Sequence, residues 1–184
     1  MIRLDHHLIT AFVERWRQET HTFHLTIGEA TITLQDVSVL LGLPVDGQPI
    51  IRREHRLTVE HWQGLCAQLL GVAPPADQLD SGRVRLAWLC DTFDALPDGA
   101  DEVIVQRHAR AYILRLLGGV LMSDLSQTLV RLSVLPFLED LDAAGRCSWG
   151  SATLAWLYRS LCRATRPDAK QISGALLLLQ VFYH

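Results

Sequence analysis

Residues 4–47 carry the densest pattern in the chain and leave little freedom of local structure: LDHHLITAFVERWRQETHTFHLTIGEATITLQDVSVLLGLPVDG. Leu4, Leu8, Phe12 and Trp16 recur every fourth residue and so stack on one face of a helix. His7, Thr10, Glu14 and Arg17 fall on the opposite face, and the helix is expected to end near Glu19. From His21 to Leu25 the period changes to two, with Phe23 and Leu25 on one side and Thr22 and His24 on the other. Ala30 and Ile32 alternate with Thr31 and Thr33 in the same way, and Gly28 lies between, where a positive φ costs little. This predicts a short antiparallel hairpin. Thr33 followed by Asp36 reads as an N-cap with a first-turn acid, Leu34, Val37 and Leu41 form an apolar stripe, and Gly42 before Pro44 stops that helix.

The remaining segments read mainly as helices. Thr58 caps one that buries Trp62, Leu65, Leu69 and Leu70 and ends at Gly71. After a loop over 72–82, Ser81 is expected to cap a helix over 83–94, with Val84, Trp88, Leu89 and Phe93 inward. Asp98, Asp101 and Glu102 suit the start of a long helix that ends at Gly118-Gly119. His108 lies on its stripe, where a histidine is more often a hydrogen-bonded core residue than a ligand. Residues 122–128 form a loop, and 129–135 have no clean period. Pro136 fits the first turn of a short helix through Asp142. Ser148 caps a helix through Ala164 that buries Leu154, Leu157, Leu161 and Cys162, with Trp149 stapling its entrance. Beyond Pro167, Asp168 and Gln171 make a capping pair for a last helix that buries Ile172, Ala175, Leu176, Leu179 and Phe182. Leu176 to Leu179 leave that helix no polar side. It is therefore either central or covered by another protein or a second copy, which makes a homo-oligomer. The expected fold is mainly α: one domain of about seven helices with a small N-terminal β-hairpin.

Several segments together resemble the plant mobile domain, the module of MAIN and MAIN-like proteins and of many plant transposons. They are Leu4-Asp-His-His-Leu8 with the block through His24, Thr33-Leu-Gln-Asp-Val37, and Leu40-Leu-Gly-Leu-Pro-Val-Asp-Gly47. Later segments also fit: Arg110-Ala-Tyr-Ile-Leu-Arg-Leu116, Pro136-Phe-Leu-Glu-Asp140, Ser148-Trp-Gly-Ser151, Leu157-Tyr-Arg-Ser-Leu-Cys162 and Gly174-Ala-Leu-Leu-Leu-Leu-Gln180. The resemblance covers nearly the whole of 1–184. In that family the chain usually runs on past the region of Gln180, so a short or C-terminally truncated version is expected. The resemblance implies nuclear machinery that silences transposons, sustains gene expression and protects the genome in plant meristems. It also implies a protein partner resembling a PP7-type phosphatase.

Composition narrows the chemistry. A net charge of −3 argues against a strongly basic nucleic-acid-binding domain, although Arg52, Arg53 and Arg56 form either a solvated loop or a small phosphate-contacting patch. The four cysteines, at 66, 90, 147 and 162, include no CxxC pair and read as reduced core thiols of an intracellular protein. Asp5, His6 and His7 interrupt any signal-peptide pattern, and the longest apolar run, Gly174 to Leu179, is too short for a membrane span.

Neither nucleotide-binding glycine fingerprint, nor GxSxG, nor HExxH occurs. His6 and His7 diverge on a helix, and His21 and His24 point to opposite faces of a strand, so no metal site is expected. The family is sometimes labelled aminotransferase-like, but the one lysine, Lys170, sits in a helix's first turn without a phosphate cradle. No catalytic residue, cofactor or metal is expected. The partner-binding candidates are Arg15, Trp16, Arg17, Thr20, His21 and His24. Arginine and aromatics carry interface energy, although Trp16 and Phe23 equally suit the core with Arg15 and Arg17 solvated.

Overall fold

A computed structural model of the chain describes residues 4–51, 57–169 and 171–183. In chain order the elements are α1 His6–Arg15, β1 Trp16–Arg17, β2 Thr22–Leu25, β3 Gly28–Ala30, α2 Leu34–Leu41 and α3 Val59–Leu70. There follow β4 Leu79–Asp80, β5 Arg83–Arg85, α4 Leu86–Thr92, α5 Glu102–Leu116 and β6 Leu129–Arg131. Last come α6 Leu141–Gly145, α7 Trp149–Ala164 and α8 Leu176–Tyr183, with a 3-10 stretch over Leu132–Leu138. The fold is mainly α, as expected, but among the described residues it holds two three-stranded antiparallel sheets, β1-β2-β3 and β4-β5-β6, where one hairpin was predicted.

The chain divides into two compact units. The first comprises Met1–Pro49, Val120–Leu125 and Cys147–His184. Its core joins Ile9, Phe12, Trp16, Phe23, Ile32 and Val37 to Leu154, Leu157 and Leu161 of α7 and to Leu176, Leu178 and Leu179 of α8. Each such side chain, fully buried, stabilises the unit by about 1.5–3 kcal/mol. The apolar girth of α8 is thus met largely within its own unit, although Val181 remains exposed. That helix begins at Leu176, not at Asp168, because Gly174 adopts φ 103 and its N–H is held by the Ser123 carbonyl. Gly150 opens α7 against α2, and a Cβ there would meet Val45 at 2.8 Å and the Pro44 carbonyl at 3.0 Å.

Two boundaries in this unit follow local rules. Thr33 and Asp36 form a reciprocal capping box at the start of α2, and Gly42 closes it in the left-handed region at φ 64. A third does not. The first helix ends at Arg15, short of Glu19, because Trp16 turns extended (ψ 129) to pair with Phe23 in β2.

The second unit comprises Ile50–Gly119 and Ser126–Arg146. Thr58 caps α3 and Gly71 ends it at φ 81, as the sequence predicts. Ser81, expected as a helix cap, instead lies at φ 50 and Gly82 at φ 76; together they make the two-residue turn of a β4–β5 hairpin. Consequently the helix expected from Arg83 starts at Leu86. The aperiodic stretch from Leu129 splits into β6 and the 3-10 helix, and Pro136 lies inside the latter. Asp101, not Asp98, caps α5 through the Ile104 N–H. His108 Nδ1 lies 2.9 Å from the Ile104 carbonyl oxygen, a half-buried structural contact.

Cys66 on α3 is fully buried, and burial pushes its thiol from the ordinary 9.0 up to about 12. The folded chain therefore keeps this proton to higher pH than the unfolded chain does. The resulting stability is whole below the ordinary value and is lost as pH rises from about 9 towards about 12. We expect the urea midpoint of the native protein to fall between pH ~8 and ~10 more than that of Cys66→Val, whose site has no proton to lose. A thiol reagent at pH ~8 should spare Cys66 until urea is added. Immediate native labelling of Cys66 would contradict this.

Candidate functional site

The six residues singled out in the sequence all lie in the first unit, on or beside the β1–β2 connection. Trp16 is 3% exposed and belongs to the core side of the two readings. Its ring centroid lies 4.9 Å from Phe23 and 5.2 Å from Tyr158, and its indole N–H donates to Cys162 Sγ at 3.3 Å. Arg15, Arg17, Thr20, His21 and His24 are exposed.

The connection is bound down onto α7. Gln18 Nε2 donates to the Cys162 carbonyl at 3.1 Å and to Thr165 Oγ1 at 2.5 Å. His21 takes a left-handed conformation (φ 55), and its carbonyl accepts from Thr31 Oγ1 at 2.7 Å. Its ring stacks on Tyr158 with centroids 5.4 Å apart and planes 25° apart. Tyr158 in turn donates to the Ile32 carbonyl at 2.5 Å. A residue that would ordinarily avoid positive φ is thus held there by one stack and one hydrogen bond.

Thr20 and Thr22 hydroxyls meet at 2.6 Å, and Thr22 donates to Glu29 at 3.0 Å. His24, opposite Glu29 in the sheet register, brings Nδ1 to 4.0 Å from that carboxylate. Arg15 donates to the Ala11 carbonyl of its own helix at 2.9 Å. His21 and His24 do not converge on a shared point with His6 and His7, which lie at the start of α1. Sequence reasoning missed Tyr158, the residue that holds His21 and Trp16 together. Its position between Leu154 and Cys162 on the four-residue stripe of α7 was the available signal.

Elsewhere in this unit, Arg163, Arg166, Asp168, Gln171 and Ser173 line an open cavity of about 360 Å³. Lys170, Arg52, Arg53 and Arg56 lie outside the described residues. Among the described residues, no three histidines, cysteines or carboxylates gather as metal ligands would. Among the described residues, no helix is long and apolar enough to cross a membrane.

The class these observations define is a mainly α module with a braced, polar β1–β2 surface over an aromatic core. The plant mobile domain pattern matches residues 1–184, and the chain belongs to that family. It is 50% identical to the serine/threonine-protein phosphatase 7 long form homolog of Arabidopsis thaliana, over 98% of this chain and 13% of that protein. It is 44% identical to Protein MAIN-LIKE 2 of the same plant, over 100% of this chain and 27% of that protein. Against Protein MAINTENANCE OF MERISTEMS, also from Arabidopsis thaliana, identity is 39% over 97% of this chain and 37% of that protein. The chain therefore spans well under half the length of these relatives. No solved structure matches.

Proposed function

We propose that this chain is a non-catalytic protein-interaction module of nuclear plant machinery that silences transposons and maintains genome and meristem. The observation carrying the proposal is the recurrence of one segment, at 39–50% identity, inside relatives named for a phosphatase and for meristem maintenance. A segment common to proteins of such different names serves them best as a shared means of association. The relative named as a phosphatase homolog holds the segment within a single polypeptide, where it fills 13% of the length. That supports a phosphatase-like protein as partner when the two are separate chains. The exposed residues Arg15, Arg17, Thr20, His21 and His24, on or beside a connection tied to α7 through Gln18 and His21, are the surface such a partner would read.

The test is a pull-down from plant nuclei, with and without nuclease. Partner recovery should survive nuclease and fall about tenfold for the Arg17→Glu, His24→Glu double variant, equivalent to ~1.4 kcal/mol. Recovery abolished by nuclease would replace this reading with nucleic-acid binding.

A further inference from the structure

Helix α5 is apolar on the side it shows to solvent. Its buried side carries Arg110, Ala111 and Leu114. Val105, Tyr112 and Leu116 lie on the other side and are 39%, 58% and 40% exposed, with Ala109 half-buried among them. A surface helix ordinarily turns its polar residues outward. Here a guanidinium is inside, and a valine, a tyrosine and a leucine are outside. The four outer residues follow one another at steps of four, three and four, so they form one straight seam of the kind through which helices pair.

Two properties of the seam point to what covers it. The first is symmetry. Steps of four, three and four read the same from either end. In an antiparallel pair about a two-fold axis between Ala109 and Tyr112, Val105 of each copy meets Leu116 of the other, and Tyr112 meets Ala109. The largest side chain then lies over the smallest, as interdigitating layers require.

The second is charge. Asp101 caps α5 and Glu102 opens it, whereas Arg115 lies in its last turn. Glu102 accepts from Gln106 Nε2 at 2.9 Å, and Arg115 donates to the Phe93 carbonyl at 3.4 Å, both neutral partners. Antiparallel packing sets the acidic end of each copy beside the basic end of the other and opposes the two helix dipoles. A parallel pair would set acid beside acid and Tyr112 against Tyr112.

We infer that the α5 seam of Val105, Ala109, Tyr112 and Leu116 is the contact through which two copies of this chain associate, antiparallel and two-fold symmetric. The seam supplies its own complement in size and in charge. A single helix pair covers less than the ~800 Å² per partner of a standard interface, so the association is expected in the micromolar range. The seam lies in the second unit, and the inference does not depend on the reading of the β1–β2 connection.

The experiment is sedimentation velocity on the whole chain, from about 1 to about 200 μM, a span that brackets micromolar association. The parent should pass from monomer to dimer over that span. Val105→Glu and Leu116→Lys, both at exposed positions, should each weaken self-association at least tenfold. Mixed in equal amounts, the two variants should recover a dimer, because the register sets position 105 of one copy against position 116 of the other. Val103→Glu, exposed on the same helix but off the seam, should dimerise as the parent does. A parent that stays monomeric throughout, undiminished association of either seam variant, equal loss with Val103→Glu, or a mixture no tighter than its components would each overturn the assignment. Any of these leaves the nuclear pull-down and its reading standing.

Discussion

Replacing Trp16 with alanine is expected to cost about 3–5 kcal/mol of stability, the range for removing a large aromatic from a packed core. The indole is 3% exposed and touches Phe23 and Tyr158. Its N–H is held by Cys162. Alanine removes these contacts at the point where α1 gives way to β1, so the pairing of Trp16 with Phe23 loses its side-chain support. Thermal unfolding followed by circular dichroism should show a Tm lower by on the order of ten degrees. Trp16→Phe, which restores most of the apolar area but not the N–H donor, should lose roughly 1–2 kcal/mol. Arg17→Ala, one residue on and exposed, should stay within about 0.5 kcal/mol of the parent. A Trp16→Ala protein as stable as Arg17→Ala would return Trp16 to the list of surface contacts. The comparison separates core from partner surface among adjacent residues.

Arg110 carries the second large effect. This guanidinium on α5 is 9% exposed, and its partners are all backbone carbonyls: Leu138 at 2.7 Å, Glu139 at 2.9 Å and Leu69 at 3.4 Å. Leu69 lies in the last turn of α3, and Leu138 and Glu139 at the end of the 3-10 stretch. These are helix-terminal oxygens without partners in their own helices, and their dipoles favour a cation there. One flat group with fixed donors thus satisfies the ends of two elements of the second unit. Arg110→Ala strands those oxygens and leaves a void, and should cost about 3–5 kcal/mol in urea denaturation. Arg110→Lys keeps the charge, but a single ammonium cannot reach three diverging acceptors, so it should recover less than half of the loss. Arg110→Met restores packing without donors. If it matched the parent in stability, the carbonyl contacts would have no net value and this account of Arg110 would fall.

Both effects are instructive about what a chain reveals before it is folded. Arg110 stands within Arg110-Ala-Tyr-Ile-Leu-Arg-Leu116, one of the segments that resembles the family, yet nothing in the helical period marks it as buried. Its acceptors lie 28, 29 and 41 residues away. Trp16 sits on the four-residue stripe with Leu8 and Phe12, and that stripe predicts its burial correctly while giving it the wrong backbone. Burial followed from periodicity; strand geometry followed from a partner in another strand. The same holds at Ser81-Gly82, where a plausible helix cap became a hairpin turn once β5 paired with β4 on one side and β6 on the other. The opposition of Arg83 and Arg131 was hidden for that reason: the two are far apart in the chain and meet only through register.

By itself the sequence determined the mainly α class, the family, the caps at Thr33 and Thr58, the stops at Gly42 and Gly71, and the course of α7. The caps, the stops and the helix rest on residues within about four positions of one another, where hydrogen-bond geometry and apolar spacing act locally. Tertiary structure decided the two three-stranded sheets, the exit of Trp16 from the helix, the burial of Arg110 and the bracing of His21 by Tyr158. In those cases the partner that sets the conformation lies in another element, beyond the four-residue reach of the helical period. Its attraction is felt only after folding has brought the two together, and it then outweighs local preferences worth under about 1 kcal/mol per residue.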